Sequence, residues 1–174
     1  MDISSKQKIE SFLRVNHAGE SAAVRLYEGQ LSVLAKSPSA VSLKHMHQQE
    51  MHHRHLFEQA LSQNNATPSL LNPLWHRLSY GVGVATALMG TRTAMDCTVA
   101  VEEVIEKHYK KQLQNFPTSD KKDIKTLIQN CYEDEIAHKD VAENHNDHHQ
   151  PQSPKLFKTI QVGCKLAIWL SERI

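Results

Sequence analysis

The chain has 174 residues, and its 20 basic and 19 acidic side chains leave a formal net charge of +1. This length is typical of one domain with a buried core, so we expect a single domain over residues 1–174. The balanced charge argues against a nucleic-acid-binding protein, and no stretch approaches the roughly 20 apolar residues that a membrane-spanning helix needs.

Apolar residues recur with the 3.6-residue period of α-helices along most of the chain, and alternating strand-like runs are few. Loops that are rich in proline or polar residues interrupt this pattern. The predicted helices cover residues 4–35, 39–63, 74–90, 91–115, 119–143 and 153–173. Thr118 or Ser119 is the predicted cap of the fifth helix.

The order of these helices indicates a fold class. Two hairpins, over residues 4–63 and 91–143, are joined by a long crossover that contains its own apolar helix. Two hairpins with one long crossover are typical of ferritin-like bundles. We therefore predict an all-α, ferritin-like four-helix bundle with an extra helix in the crossover and an amphipathic helix at the carboxyl terminus.

Two E-x-x-H motifs are the first candidates for chemistry. Glu50 with His53 lies on the second predicted helix, and Glu135 with His138 lies on the fifth. Residues three apart share a helix face, so each carboxylate and imidazole can bind the same metal ion. A single E-x-x-H motif is common and is weak evidence alone.

Two further glutamates strengthen the pattern. Glu20 precedes Glu50 by thirty positions, and Glu102 precedes Glu135 by thirty-three. The midpoint of each pair falls in or beside a predicted turn, so each lone glutamate should lie level with the E-x-x-H motif of its own hairpin. Six side chains are thereby predicted to meet in the bundle.

All four glutamates lie on apolar helix faces, where uncompensated carboxylates would be costly and would repel one another. Two divalent cations offset their charge. Carboxylate and imidazole ligands suit iron or manganese better than soft metals, and zinc needs fewer ligands than this. The pattern therefore predicts a two-metal site formed by Glu20, Glu50, His53, Glu102, Glu135 and His138.

The same regions contain longer motifs. They are RVNHAGE over residues 14–20, YEGQ over 27–30, CTVAVEE over 97–103, His108-Tyr109, Asp134-Glu135 with His138, and the closing GC and SER segments. With these motifs, nearly the whole chain resembles the demethoxyubiquinone hydroxylase family. That family usually has Asp where this chain has Asn16, which bears on local hydrogen bonding near the site and leaves the ligand set intact.

The resemblance implies a di-iron monooxygenase of ubiquinone biosynthesis. Its expected substrate is a polyprenylated methoxy-methyl-benzoquinol, hydroxylated with dioxygen and two electrons from NADH or a reductase. By the same resemblance, His108 and Tyr109 are expected at a substrate or electron-transfer station. A second copy of the chain and other proteins of quinone biosynthesis remain candidate partners.

A prenylated substrate implies contact with a membrane surface. The last predicted helix and the crossover helix are the candidate lipid-binding segments, and packing on the bundle or on a partner is the alternative. Cys97, Cys131 and Cys164 form no C-x-x-C pattern and predict reduced thiols. With no visible targeting segment, we expect a peripheral protein on the cytoplasmic face of a bacterial inner membrane.

Two other classes stay open on sequence alone. A ferritin-like iron oxidation or storage protein would share the six ligands, and a non-enzymatic helical interaction module would share the helices. Most of the other histidines are expected at the solvated surface: His45, His47, His52, His55, His145, His148 and His149.

Overall fold

A computed structural model of the chain describes residues 3–117, 121–145 and 150–174. These residues form six α-helices and no strand: α1 (Ile3–Leu34), α2 (Ala40–Gln63), α3 (Asn72–Leu88), α4 (Thr91–Gln114), α5 (Lys122–Asn144) and α6 (Pro154–Ser171). The all-α prediction is confirmed, and the helix ends differ from the predicted ones by at most three residues. The predicted caps Thr118 and Ser119 lie outside the described residues.

Two apolar clusters occupy the interior at different levels of the bundle. The first contains Leu13 of α1 and Phe57 of α2, together with Tyr109, Ile128 and Cys131. The second is formed by Tyr27, Leu43, Met46, Met95, Val99 and Ala142. Every predicted ligand lies, in sequence, between a residue of one cluster and a residue of the other, so the six ligands are enclosed by apolar layers.

The two clusters also define the helix directions. α1 and α5 run from the first cluster to the second, whereas α2 and α4 run the opposite way. Because α2 and α4 are parallel, the chain must return along the whole bundle between them. The crossover that contains α3 makes this return.

α3 packs against α1 at an unusually short backbone separation. A Cβ atom built on Gly29 would lie 2.3 Å from the carbonyl oxygen of Tyr80, and one built on Gly83 would lie 2.2 Å from that of Leu26. Real Cβ atoms do not approach oxygen so closely, and glycine at both positions removes the obstacle. These two glycines hold the crossover helix directly on the bundle.

α6 begins at a standard capping sequence. Pro154 occupies the first turn, and the Ser153 side chain accepts a hydrogen bond from the Leu156 backbone N–H. Near its other end, Ser171 accepts a hydrogen bond of 2.9 Å from the Trp75 indole N–H of α3. The end of α6 therefore lies beside the start of α3.

The predicted amphipathic face of α6 is divided between the bundle and solvent. Leu156, Ile160 and other residues of the predicted stripe are half-buried, whereas Val162, Leu166 and Trp169 are exposed. Within the described part of the chain, no helix is both long and apolar enough to cross a membrane.

Candidate metal centre

The six predicted ligands meet in the interior of the bundle. Glu20 comes from α1, Glu102 from α4, and the two E-x-x-H motifs from α2 and α5. None of the six residues is more than 3% exposed. The six side chains are therefore brought together by the four helices α1, α2, α4 and α5, each of which contributes to the site.

The candidate ligand atoms form two overlapping groups. In each group, the nitrogen and oxygen atoms lie within 4.8 Å of one another. The first group contains Glu20, Glu50, His53 and Glu135, and the second contains Glu50, Glu102, Glu135 and His138. Because Glu50 and Glu135 belong to both groups, they lie between two adjacent positions that a metal ion can occupy.

Many of the inward-facing atoms lack a hydrogen bond. They are Glu20 Oε2, both side-chain oxygens of Glu50, His53 Nδ1, Glu102 Oε2, both side-chain oxygens of Glu135, and His138 Nδ1. Even Glu50 Oε1 and His138 Nδ1, which are 3.0 Å apart, are not aligned as donor and acceptor. Leaving buried polar atoms unpaired is costly, and bound cations would satisfy all of them together.

Both imidazoles have a fixed orientation. His53 Nε2 lies 2.9 Å from Asp134 Oδ2, and His138 Nε2 lies 3.1 Å from Gln49 Oε1. Because carboxylate and amide oxygens only accept hydrogen bonds, each Nε2 carries the hydrogen. Each Nδ1 therefore presents its lone pair to the carboxylates when the ring is neutral, as a metal ligand must.

Each lone glutamate accepts a hydrogen bond from a tyrosine of the opposite hairpin. Tyr27 donates to Glu102 Oε1 at 2.7 Å, and Tyr109 donates to Glu20 Oε1. One oxygen of each carboxylate is thereby engaged, and the other stays free for a metal ion.

Burial and mutual charge shift the carboxylate pKa values in different directions. Burial and the neighbouring Glu20 charge raise the pKa of Glu50, and burial with the Glu50 charge raises that of Glu135 to about 7. Burial and the Glu135 charge hold the pKa of Glu102 well above its usual range. These raised pKa values favour the protonated form of the three carboxyl groups in the metal-free protein.

Glu20 and the two histidines show the opposite balance. Burial raises the pKa of Glu20, but interactions with His53 and Tyr109 outweigh it, and the pKa is lowered. Burial lowers the pKa of each histidine, but the carboxylates overcome this effect and raise the pKa of His53 to about 12 and of His138 to about 11. Without metal, both imidazoles are cations that partly neutralise the cluster.

Cys131 is an additional residue at the edge of the site. Its sulfur lies within the same 4.8 Å reach of Glu20 and His53 ligand atoms. Burial raises the pKa of this thiol, which favours its protonated form in the metal-free protein. The six carboxylate and imidazole side chains form a donor set that is suited to iron or manganese.

His108 lies next to the site and Tyr109 lies within it. The ring centroids of His108 and Tyr109 are 6.2 Å apart, and Gln112 Nε2 donates to His108 Nε2 at 2.8 Å. Burial and the Lys111 charge lower the pKa of His108 to about 4, so its ring is neutral. Gln112 also forms a reciprocal amide pair with Asn16, at 2.8 and 2.9 Å.

The sequence did not identify Tyr27, Gln49, Asp134 or Gln112 as parts of the site. Two signals were nevertheless present. Tyr27 follows Glu20 by seven residues, as Tyr109 follows Glu102, and Gln49 and Asp134 each immediately precede the glutamate of an E-x-x-H motif.

Most of the histidines that were predicted at the solvated surface, and that the structure describes, are exposed. His45, His52, His55 and His145 are exposed, whereas His47 is half-buried with Nε2 3.6 Å from Glu28. His148 and His149 lie outside the described residues. Among the residues that the structure describes, every group able to hold a metal ion belongs to the central site.

The chain is similar to known proteins of one family. The chain matches the family described as ubiquinone biosynthesis protein COQ7 over residues 7–171. It is 41% identical over 174 residues to the 3-demethoxyubiquinol 3-hydroxylase of Rhodospirillum rubrum, covering 99% of this chain and 82% of that protein.

Two eukaryotic relatives have similar coverage. The NADPH-dependent 3-demethoxyubiquinone 3-hydroxylase, mitochondrial, of Dictyostelium discoideum is 39% identical over 171 residues, covering 97% of this chain and 79% of that protein. The human protein of the same name is 36% identical over 177 residues, covering 100% of this chain and 82% of its own. The chain therefore belongs to the ubiquinone biosynthesis protein COQ7 family, whose demethoxyubiquinone hydroxylases its motifs resemble.

Proposed function

We propose that this chain is a di-iron monooxygenase that hydroxylates the ring of a polyprenylated methoxy-methyl-benzoquinol in ubiquinone biosynthesis. The observation that carries the proposal is the cluster of six buried ligands with unpaired inward-facing atoms. Family membership and the printed names of the relatives, which are hydroxylases of demethoxyubiquinol or demethoxyubiquinone, support the substrate.

The two overlapping groups suggest how the chain would hold two ions. Glu20 and His53 would bind at one position, which we name the His53 position, and Glu102 and His138 would bind at the other, the His138 position. Glu50 and Glu135 would bridge them. When bound, two iron ions would supply the reductive activation of dioxygen.

The surrounding residues keep this site dry and ordered. The apolar clusters on both sides exclude water, and the tyrosine hydroxyls fix the lone carboxylates. Ligands carried by packed helices are more rigidly placed than ligands on loops. The chain thus offers preorganised ligands whose charge matches two divalent ions.

His108 and Tyr109 form the proposed route between the site and the surface. His108 is half-buried, its ring adjoins Tyr109, and Tyr109 donates to Glu20. Because Nε2 accepts from Gln112, the neutral His108 ring carries its hydrogen on Nδ1 and can orient a quinol oxygen by donating it. We assign these two residues to substrate positioning and to the transfer of protons and electrons toward the metal centre.

For the two electrons, we propose a nicotinamide nucleotide as the donor. The Dictyostelium discoideum and human relatives are named NADPH-dependent. The family resemblance alone leaves NADH or a reductase open as the donor. A stopped-flow comparison of NADH and NADPH as reductants of the iron-loaded protein would identify the preferred nucleotide.

We further propose that the protein binds a membrane surface peripherally. On α3, Leu74, Leu78 and Val82 are exposed at four-residue spacing, and α6 exposes Leu166 and Trp169. The Trp75–Ser171 hydrogen bond places the two helix ends side by side. Exposed apolar side chains flanked by Lys155, Lys158 and Lys165 suit a surface of anionic lipid.

This location can be tested with vesicles that contain an anionic phospholipid. Leu78→Ser with Leu166→Ser should weaken co-sedimentation with these vesicles. Vesicles should shift tryptophan emission to shorter wavelength in the unchanged protein and in the control, but not in this double variant. The control is Val41→Ser, because Val41 is 78% exposed on α2. Equal vesicle binding by all three proteins would contradict the proposal. If the double variant lost self-association instead of vesicle binding, this face would bind a second copy of the chain.

We place the membrane face on the cytoplasmic side of a bacterial inner membrane, and the bacterial relative supports a bacterial setting.

The activity is tested with the iron-loaded, reduced protein, a short-chain demethoxyquinol and ¹⁸O₂. Mass spectrometry should show a product that has gained one labelled oxygen atom. Continued iron oxidation without this product would contradict hydroxylation and would favour an iron oxidation or storage protein.

A further inference from the structure

The two hairpins of the bundle share a polar pattern that sequence spacing makes visible. Relative to the lone glutamate, each first helix has a polar residue four positions before it, a tyrosine seven positions after it and a glutamine ten positions after it. The residues are Asn16, Glu20, Tyr27 and Gln30 on α1, and Thr98, Glu102, Tyr109 and Gln112 on α4.

The equivalent residues bond across the bundle in equivalent pairs. Gln112 pairs with Asn16 at 2.8 Å, and Gln30 Nε2 lies 3.4 Å from Thr98 Oγ1. The tyrosines donate to the glutamates of the opposite hairpins, as described above. The surroundings of the two lone glutamates are therefore related by an approximate twofold repeat.

The second helices follow the same rule but with different chemistry. The residue before each E-x-x-H glutamate accepts the hydrogen bond of the opposite hairpin's histidine. On α5 this residue is Asp134, which accepts from His53 at 2.9 Å, whereas on α2 it is Gln49, which accepts from His138 at 3.1 Å. A carboxylate and a neutral amide thus occupy equivalent places.

This difference gives the two imidazoles different strengths as electron donors to a metal ion. A carboxylate that accepts the outer N–H makes the imidazole a stronger electron donor than an amide does, because negative charge stabilises the metal-bound ring. The Asp134 side chain is 41% exposed, so solvent screens the effect of its charge on His53 but does not remove the hydrogen bond.

We propose that Asp134 and Gln49 are positioning residues that make the two metal positions unequal, so that the His53 position binds its ion more tightly than the His138 position. The inference rests on the proposed two-metal centre and adds to it an order of filling. Substitution of such outer partners typically changes metal affinity by about 10- to 100-fold, and the exposure of Asp134 places our expectation near tenfold.

Anaerobic titration of the metal-free full chain with Mn²⁺, followed by electron paramagnetic resonance, tests the order directly. The unchanged protein should first accumulate the signal of an isolated bound Mn²⁺ and convert to a coupled pair only as the second equivalent binds. Two ions that bind with equal affinity would overturn the inference alone. A chain that binds no Mn²⁺ would overturn the two-metal centre as well.

Variants identify the cause of any inequality. Asp134→Asn keeps a hydrogen-bond acceptor but removes the charge, so the two Mn²⁺ binding steps should have nearly equal affinities. Asp134→Glu should make these affinities unequal again. Gln49→Glu should also make them nearly equal, because it strengthens binding at the His138 position. Glu133→Gln is the matched control, because Glu133 is an exposed carboxylate beside Asp134.

The assignment of the tight position has its own test. His53→Gln should remove the tight step, whereas His138→Gln should preserve it. The reverse result, or an Asp134→Asn variant with an unchanged affinity ratio and native circular dichroism, would overturn the proposal.

Discussion

Tyr109 of α4 donates a hydrogen bond to Glu20 of α1 across the interior of the bundle. The contact joins the two hairpins at the candidate metal centre, and it has a counterpart in the bond from Tyr27 to Glu102. The acceptors differ in charge, however, because the pKa of Glu20 is lowered and that of Glu102 is raised in the metal-free protein.

The charge difference predicts unequal costs for removing the two hydroxyls. Tyr109→Phe removes a bond to an ionised carboxylate and should lower the unfolding free energy of the metal-free protein by about 1.5–3 kcal/mol. Tyr27→Phe removes a bond to a protonated carboxyl group and should cost about 0.5–1.5 kcal/mol. Urea denaturation at pH 7 measures both, and a larger cost for Tyr27→Phe would contradict the assigned charges.

Glu135→Gln should abolish turnover and reduce bound iron to less than one ion per chain. The reason is that Glu135 belongs to both ligand groups, so its loss weakens both positions. The helices should persist, because the pKa of Glu135 is about 7 and the fold already accepts this group in its neutral form. Iron analysis and circular dichroism check these outcomes, with Glu133→Gln as the control. A variant that kept activity and two irons would remove Glu135 from the ligand set.

Metal affinity should rise with pH. In the metal-free protein the pKa of His53 is about 12 and that of His138 is about 11, so both rings are protonated at neutral pH. Each must lose its proton to bind an ion, and so must any carboxyl group of the site that is still protonated, so the affinity for each ion should rise by at least about tenfold per pH unit between pH 6 and 8. Calorimetry in buffers of different ionisation enthalpy measures the released protons. The exposed His52 offers a control, since His52→Gln should leave the proton count unchanged.

The close approach of α1 and α3 predicts opposite results at glycines of the same helix. Gly83→Ala would place a Cβ atom 2.2 Å from the Leu26 carbonyl oxygen, so the helices must separate. We expect a loss of about 1–3 kcal/mol in the unfolding free energy, as for other overpacked positions. Gly81→Ala meets no atom within 4 Å and should be neutral or stabilising by up to about 1 kcal/mol. Thermal denaturation of the two variants compares them, and equal midpoints would rule out the tight contact.

Sequence periodicity and spacing were sufficient to predict the helices and the six candidate ligands. Proline and polar loops mark the helix ends, and a helix turn carries Glu50 and His53 to one face regardless of tertiary detail. The paired spacing of Glu20 with Glu50 then determines which side chains meet, because an antiparallel hairpin brings residues at equal distances from its turn to the same level.

Other features depend on tertiary contacts, which the periodicity of the sequence does not specify. Asp134 and Gln49 are half-buried polar residues that look like solvated positions until the partner histidines are placed. A glycine at position 83 does not by itself predict that a carbonyl oxygen of α1 lies against it. On α6, apolar residues occur on both faces, so sequence alone did not decide which face packs on the bundle and which remains exposed.

The most direct test of the two-metal centre is anomalous diffraction from crystals of the iron-loaded protein, measured on both sides of the iron absorption edge. We predict two iron peaks per chain between α1, α2, α4 and α5, with Glu50 and Glu135 in contact with both ions. The remaining contacts should come from Glu20 and His53 at one ion and from Glu102 and His138 at the other. A single peak, or iron bound only at the surface, would contradict it.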